Sequence, residues 1–392
     1  MKFSQFLGQF KRDRFIVMGI GFLLATLLII RADFSHITPE RQFEIERGRI
    51  VALTSSNLRT DDYIPSIEIG FQTATVEILS GDFTGQQVHV EHTVTRFENF
   101  ELTENSNVLV SILPNITTLA TENIAIYGPV RSFPLTIALI IAAIGVIVVG
   151  KIKGLYALLS LGFTFTVLIF FLVHGIVSGQ NPVTLAIFSS FAIITFTTLM
   201  INGANKQSIS AISGALIGLL GAGITSYFLG NFANISGIHL DSARHVLYQS
   251  PPNTVIHIGA LFFAVIIIAT TGAMIDSSIS IAAAAFELSN QTKTPTWQNL
   301  FKSSMEVGKS VLGANINTLI LAFAGTSLIT LILILLFGFT GRHIINLELV
   351  AIEIITAIGA TTGMLIGIPA TAYICAKLAR KETTKSQKQV RK

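Results

Sequence analysis

The stretch that decides the fold is VIHIGALFFAVIIIATTGAM, residues 255–274. It contains one histidine and no Lys, Arg, Asp or Glu, and Asp276 follows it after a single isoleucine. The hydrocarbon core of a bilayer is about 30 Å thick and an α-helix rises about 1.5 Å per residue, so about 20 apolar residues cross it. The stretch therefore predicts a membrane-spanning helix.

The composition of the whole chain agrees with a membrane protein. Of 392 residues, 51% are hydrophobic and only 12% are charged, and the mean hydropathy is +0.67. Soluble domains carry about 25% charged residues, so a soluble enzyme is disfavoured. The single cysteine, Cys375, excludes an intramolecular disulfide and a cysteine-based metal site. We find no phosphate-binding loop, no hydrolase motif and no basic tract typical of nucleic-acid binding, and predict no enzyme activity, cofactor, metal or nucleic-acid partner.

Eight stretches are apolar enough to span a bilayer, which predicts an α-helical polytopic membrane protein. The first has no small-x-small cleavage pattern at its end and is interpreted as an uncleaved anchor. The stretches are approximately Phe15–Ile30, Phe133–Gly150, Gly154–Val177, Pro182–Ile201, Ile209–Phe232, Val255–Met274, Ile316–Phe337 and Leu349–Cys375.

The distribution of Lys and Arg predicts the orientation of these spans. With the N-terminus inside and eight crossings, the short outer loops hold only Arg244 and Arg342. The other short loops and both termini hold many basic residues, as cytoplasmic segments do. We therefore expect residues 1–31 to form an inner N-terminus and first span, and residues 377–392 to form a basic cytoplasmic tail.

Residues 32–132 differ from the rest of the chain because they lack long apolar runs. Val88, Val90 and Val94 alternate with polar residues, which is typical of a half-buried strand. The stretch Ile67–Ile78 shows a similar alternation. These residues predict an extracytoplasmic domain of five or six strands, in a small barrel or sandwich, between the first and second spans. His89, Glu91 and His92 fall in such a strand and are interpreted as a solvated strand rather than a metal site, since alternation puts His92 on the opposite face.

The main functional candidates lie where the sixth and seventh spans approach the cytoplasmic side. Asp276 is either a carboxylate inside the inner leaflet or an interfacial residue solvated by the cytoplasm. The sequence is compatible with both interpretations. Asn315, Asn317 and Thr318 begin the seventh span at a similar depth, where they either bond to Asp276 or join two helices. Residues 277–313 between these spans predict an interfacial segment that is amphipathic after Trp297.

Other candidates are secondary. Glu353, Glu287 and His257 are ionisable residues in or near predicted spans. The last span also carries a four-residue repeat of glycine, and a further glycine precedes Asp276; both favour close helix packing, or alternatively a hinge. These glycines are Gly359, Gly363, Gly367 and Gly272.

Four stretches resemble the YibE/F family of bacterial multi-pass membrane proteins. They are TGAMIDSSISIA at 271–282, FKSSMEVGK at 301–309, NTLILAFAG at 317–325 and ILSGDFTG at 78–85. The resemblance covers most of the chain and implies a protein of the bacterial plasma membrane, with a companion membrane protein of the same family as a partner besides the lipid bilayer. It implies no settled activity.

A weaker resemblance concerns SecD/SecF and the wider group of RND-type permeases. Gly272–Asp276 and Ala314–Leu319 are similar in order and spacing to two elements of those proteins. In those permeases the aspartate takes part in proton flow, so the resemblance marks Asp276 as the position to test. This exterior domain is far smaller than theirs, and two more spans follow it than in one half of an RND permease.

Two functions are therefore expected. The first is a membrane permease or export component coupled to an ion gradient through Asp276. The alternative is a non-transporting sensor or scaffold whose exterior β domain binds an envelope ligand or a partner protein.

Overall fold

The computed structural model describes residues 12–32, 43–114, 116–237, 245, 246, 248, 256–291 and 296–390. Its chain forms two compact units, one comprising residues Thr38–Gly145 and the other Met1–Ile37 with Val146–Lys392. The sequence predicted a domain boundary at residue 132. The first unit extends to Gly145 because a helix begins at Ser132, only two residues after the last strand ends at Pro129.

The first unit contains one five-stranded antiparallel sheet with strand order β3-β2-β1-β4-β5. The edge strands β3 and β5 approach each other, so the sheet curls into a half-barrel around its core. This confirms the predicted number of strands. The strands are β1 (Glu44–Thr60), β2 (Glu68–Ile78), β3 (Gln87–Val94), β4 (Asn107–Ile112) and β5 (Ile124–Pro129).

Alternating side chains explain why these residues form strands. In β3 every second residue is buried. Val88 and Val90 pack in the core that contains Val76 of β2, and Val94 is buried at the end of the strand. His89 and Glu91 point outward, whereas His92 is buried and its Nε2 lies 3.0 Å from the carbonyl oxygen of Phe100. The described residues contain no cluster of three or more His, Cys, Asp or Glu placed to hold a metal ion.

Asp61 fixes the turn between β1 and β2. Its buried carboxylate accepts a hydrogen bond from Arg96 Nε at 2.6 Å and from the backbone N–H groups of Tyr63 and Ile64, each at 2.8 Å. The bond from Arg96, followed by the two backbone bonds, holds the pKa of Asp61 below its ordinary value. The turn is therefore built around an ionised carboxylate.

We expect Arg96→Gln to raise the pKa of Asp61, so that its carboxylate is protonated at a higher pH and contributes less to the stability of the turn. Because the pKa of Asp61 is lowered in the folded state, its stabilising contribution is present above the unfolded pKa of about 3.9 and is lost as pH falls through the folded pKa. NMR titration of labelled Asp carboxyl carbons in the full chain would measure this shift. The same titration of Arg59→Gln, which removes an exposed arginine from the end of β1, should leave the pKa of Asp61 unchanged.

The second unit is helical. Six helical runs among the described residues have the length and apolar composition to cross a bilayer, and Ile16–Arg31 is a shorter apolar helix. The helices are α1 (Arg12–Arg31), α2 (Ser132–Val177, whose first part lies in the other unit), α3 (Pro182–Asn202), α4 (Lys206–Phe232), α5 (Ile258–Gln291), α6 (Trp297–Thr326), α7 (Leu328–Leu336), α8 (Gly341–Asn346) and α9 (Glu348–Val390).

The run α2 contains two of the predicted spans. Its backbone leaves the helical conformation at Lys151, where φ is 50° and ψ is −129°. Gly154 then lies so close to the carbonyl oxygen of Val146 that a Cβ at this position would overlap it. The chain therefore turns sharply at Lys151, between the spans that the sequence separated there.

The predicted interfacial segment at 277–313 is helical on both sides of residues 292–295. Residues up to Gln291 continue α5, and Trp297 opens α6, which runs on without interruption to Thr326. Residues 273–289 contain no Pro or Gly that would end the helix. The helix α9 likewise continues from the last span into the predicted tail, as far as Val390.

Candidate functional site

Glu353 lies beside an interruption in an apolar helix. The helix α6 ends at Thr326 and α7 begins at Leu328, and the residue between them, Ser327, has φ −93° and ψ 4°. The hydroxyl of Ser327 donates a hydrogen bond of 2.6 Å to Oε1 of Glu353, which is half-buried in α9. This hydrogen bond joins the interruption between α6 and α7 to α9.

Two clefts meet at Glu353. One, of about 380 Å³, lies between α5, α6 and α9 and is also lined by Thr326 and Thr356. The other, of about 230 Å³, lies between α6, α7 and α9 and is also lined by Ser327 and Thr330. Both clefts are otherwise mainly apolar, so Glu353 is the ionisable side chain that they share.

The face of α5 that lines the first cleft continues to Asp276. Val265 and Ala269 line the cleft, and Gly272 and Asp276 follow at spacings of three and four residues. Residues at these spacings share one face of a helix, and Asp276 lies about 10 Å along the axis from Ala269. The Asp276 side chain is exposed. It makes no hydrogen bond or ion pair to the part of the chain that the structure describes.

The polar residues predicted to surround Asp276 are only partly brought to it. Asn315 Nδ2 donates to the hydroxyl of Ser277, the next residue, at 2.9 Å. Asn317 is exposed, and the exposed Thr318 hydroxyl donates to Ala314 of its own helix at 2.9 Å. Asn315 therefore joins α6 to α5 beside Asp276, whereas Asn317 and Thr318 do not contact the carboxylate.

The secondary candidates Glu287 and His257 lie outside both clefts. Glu287 is exposed near the end of α5, where its Oε1 accepts a hydrogen bond of 2.8 Å from Gln291. His257 is exposed immediately before α5 begins, and its carbonyl oxygen accepts the N–H of Leu261. Nothing in this geometry associates either residue with Glu353 or Asp276.

Three of the four candidate glycines pack between α9 and α4. A Cβ on Gly363 would lie 2.9 Å from Cβ of Ala222, and one on Gly367 would lie 3.1 Å from Cα of Gly218. A Cβ on Gly359 would lie closer still to the hydroxyl oxygen of Ser226 in α4. Gly272 differs, since a Cβ there would have no neighbour within 4 Å among the described residues. We call the α4–α9 contact the glycine seam.

Hydroxyl groups also connect α5 to two neighbouring helices, α3 and α9. The Thr271 hydroxyl donates to the hydroxyl of Ser190 in α3 at 2.8 Å, and the hydroxyls of Ser278 and Thr371 in α9 lie 3.2 Å apart. All four residues are buried. Thr271 and Ser278 are seven residues apart and share one face of α5, so these bonds hold that face and leave the Asp276 face open.

The interruption at Ser327 is the feature that sequence reasoning missed. The predicted seventh span ran through it from Ile316 to Phe337. Gly325, Thr326 and Ser327 stand together inside that otherwise apolar run, and three such residues favour a break, because glycine weakens a helix and hydroxyl side chains compete for its backbone bonds.

Comparison with known proteins gives one finding. Residues 138–381, more than half of the chain, match the sequence model of the YibE/F-like proteins. No curated protein and no solved structure matches the chain. The matched residues include Glu353, Asp276, both clefts and the glycine seam. The chain therefore belongs to the YibE/F family.

Proposed function

We propose that the chain is a membrane permease or export component driven by an ion gradient. The observation that carries this proposal is the position of Glu353, between two clefts and bonded to the residue at which α6 is interrupted. Ionisable residues within spanning segments are costly and mark ion or substrate pathways. Interrupted helices form the binding sites of many secondary transporters.

The proposed path uses both carboxylates. In the predicted topology the N-terminus is inside, so Glu353 is near the outer end of α9 and Asp276 is in the inner half of α5. The ion, in the simplest case H⁺, enters the first cleft at Glu353 and leaves along the α5 face at Asp276. Because the Ser327 hydroxyl donates to Glu353, binding of an ion there competes with the contact that holds α6 and α7 to α9.

The packing of the helices indicates which of them shift during transport and which remain in place. The glycine seam and the buried hydroxyl pairs join α3, α4, α5 and α9 closely. By contrast, the apolar part of α6 is largely exposed, and α7 has only Ile334 buried. In this proposal α6 and α7 shift relative to α3, α4, α5 and α9 when the charge of Glu353 changes.

The topology of eight spans belongs to the same proposal. The six long helices become eight when α2 is counted twice, since it turns at Lys151, and when the shorter helix Ile16–Arg31 is included. This arrangement supports a plasma-membrane protein with both termini inside and the β unit outside. We assign it no catalytic step.

Proton flux into vesicles tests the proposal. We expect purified protein in vesicles with an imposed pH gradient to conduct H⁺, and Glu353→Gln and Asp276→Asn each to lower the rate at least about tenfold. A loss of this size corresponds to about 1.4 kcal/mol in the barrier. The matched control is Glu306→Gln, which removes an exposed carboxylate paired to Lys309 on α6. Wild-type flux in both test variants, at normal expression, would refute the role of the carboxylates.

The alternative function is a non-transporting sensor or scaffold whose β unit binds an envelope ligand or partner. The exposure of Asp276 favours it, because a scaffold requires no enclosed acid. A wild-type protein that conducts no ion under any imposed gradient would support this alternative.

A further inference from the structure

Two large aromatic rings project from one end of the half-barrel. Tyr63, in the turn between β1 and β2, is 82% exposed, and Phe97, in the turn after β3, is 98% exposed. The two turns are neighbours, because Gly70 at the start of β2 pairs with Val94 at the end of β3. Single exposed apolar residues are common, but paired aromatic rings on adjacent turns are typical of binding surfaces. We call these two turns, residues 61–67 and 95–99, the aromatic tip.

Side-chain bonds hold the aromatic tip in a fixed shape. The Arg96 guanidinium binds Asp61 and lies 4.8 Å from the centre of the Tyr63 ring. Asn99 Nδ2 donates to the carbonyl oxygen of Glu68 at 2.6 Å, which joins the second turn to the start of β2. These bonds orient the backbone so that the rings face solvent.

The turn that carries Phe97 is fixed in the same way. The Thr95 hydroxyl oxygen accepts the N–H groups of Phe97 and Glu98 at 3.2 and 2.9 Å. Groups that are already ordered before binding lose little conformational entropy when a partner covers them. The aromatic tip is therefore ordered before a partner binds and does not have to fold on binding.

Charge on the aromatic tip identifies the kind of partner. Each ring stands next to an exposed carboxylate, Asp62 beside Tyr63 and Glu98 beside Phe97. Arg96 is paired with Asp61, which neutralises the adjacent positive charge. Aromatic residues that insert into membranes are usually accompanied by Lys and Arg, because the headgroups attract cations. Carboxylates beside both rings instead fit a basic protein surface.

We propose that Tyr63 and Phe97 anchor a partner protein that presents an apolar pocket bordered by Lys and Arg. The two rings fill the pocket, and Asp62 and Glu98 meet its basic border. Aromatic anchors of this kind carry most of the binding energy of an interface, and complementary charge at the border sets specificity and association rate. This inference does not depend on ion transport by the helical unit.

Photo-crosslinking in cells tests the contact. We expect the full chain with p-benzoylphenylalanine in place of Phe97 to form a light-dependent adduct with one protein, whose crosslinked residue maps to an apolar pocket flanked by Lys or Arg. The matched control carries the same probe in place of Tyr127, which is 65% exposed in β5, and should not form this adduct. An adduct only with lipid, only with a second copy of this chain, or with an acidic surface would overturn the proposal.

Binding of the identified partner gives a second, independent measurement. For the full chain in nanodiscs, we expect Phe97→Ser and Tyr63→Ser each to weaken the partner's affinity at least about tenfold. Glu98→Lys and increased salt should weaken it as well, because both reduce the attraction between the charged borders. Affinity unchanged by Phe97→Ser and by Glu98→Lys, in proteins with an intact β unit, would refute the assigned surface.

Discussion

Gly363→Leu is expected to destabilise the helical unit strongly. Gly363 lies at the centre of the glycine seam, where a Cβ would already be 2.9 Å from Ala222 and 3.0 Å from the carbonyl oxygen of Gly218. Four extra carbon atoms have no space there, so α9 and α4 must separate, and separation also breaks the packing at Gly359 and Gly367. Overpacking of a well-packed site costs about 1–3 kcal/mol, and occasionally more. We expect a value at the upper end, about 3 kcal/mol.

The only tryptophan reports this change. The ring of Trp297, at the start of α6, lies 6.2 Å from the ring of Tyr373 in α9. Its fluorescence during thermal unfolding in detergent therefore follows the packing of α9. The control is Gly272→Leu, which places the same side chain in open space on α5 and should unfold close to the wild-type temperature. Equal stability of the two variants would contradict the glycine seam as a packing contact.

Val90→Asp is expected to unfold the half-barrel. The Val90 side chain is 1% exposed and lies opposite Ala74 of β2 within the core. A carboxylate at this position has no partner and either loses its hydration or becomes protonated, and both are unfavourable. The expected loss is about 4 kcal/mol, a large part of the 5–15 kcal/mol that stabilises a typical domain.

Tryptic digestion of the full chain measures that loss. Arg47 and Arg49 lie in β1 and are protected there by pairing with β4. In Val90→Asp we expect rapid cleavage after both residues. The control is His89→Asp, one residue away on the exposed face of β3, which should stay as resistant as the wild type. Equal resistance of Val90→Asp would show that this face is not the core.

The half-barrel was predictable because its pattern is local. Alternation in β2 and β3 assigns each residue to a face, and the structure confirms that His92 lies opposite His89 and Glu91. The order of strands was not predictable, because it depends on pairing between residues far apart in sequence. β1 pairs with both β2 and β4, and its 17 residues bend at two register shifts.

The candidate site was predictable only in part. Asp276 and Glu353 can be identified from the sequence as acidic residues in apolar stretches. The local sequence does not show which neighbouring helix each side chain faces. The Ser327 bond places Glu353 between clefts, whereas Asp276 is exposed. Likewise, the sequence left open whether Asn315 bonds to Asp276 or joins two helices, and in the structure Asn315 bonds to Ser277. The rotation of α6 about its axis decides between these adjacent residues. The roles proposed for these residues stay predictions.

The sharp turn at Lys151 has a consequence for biogenesis. Only a few residues separate the two arms of α2. The loop between them is therefore too short for the translocation machinery to recognise it separately. We therefore expect the two arms to be inserted into the membrane together, and not as two independent stop-transfer sequences. Lengthening the corner with a flexible polar insert would uncouple the arms, and a reporter enzyme fused after the first arm would reveal mixed orientations.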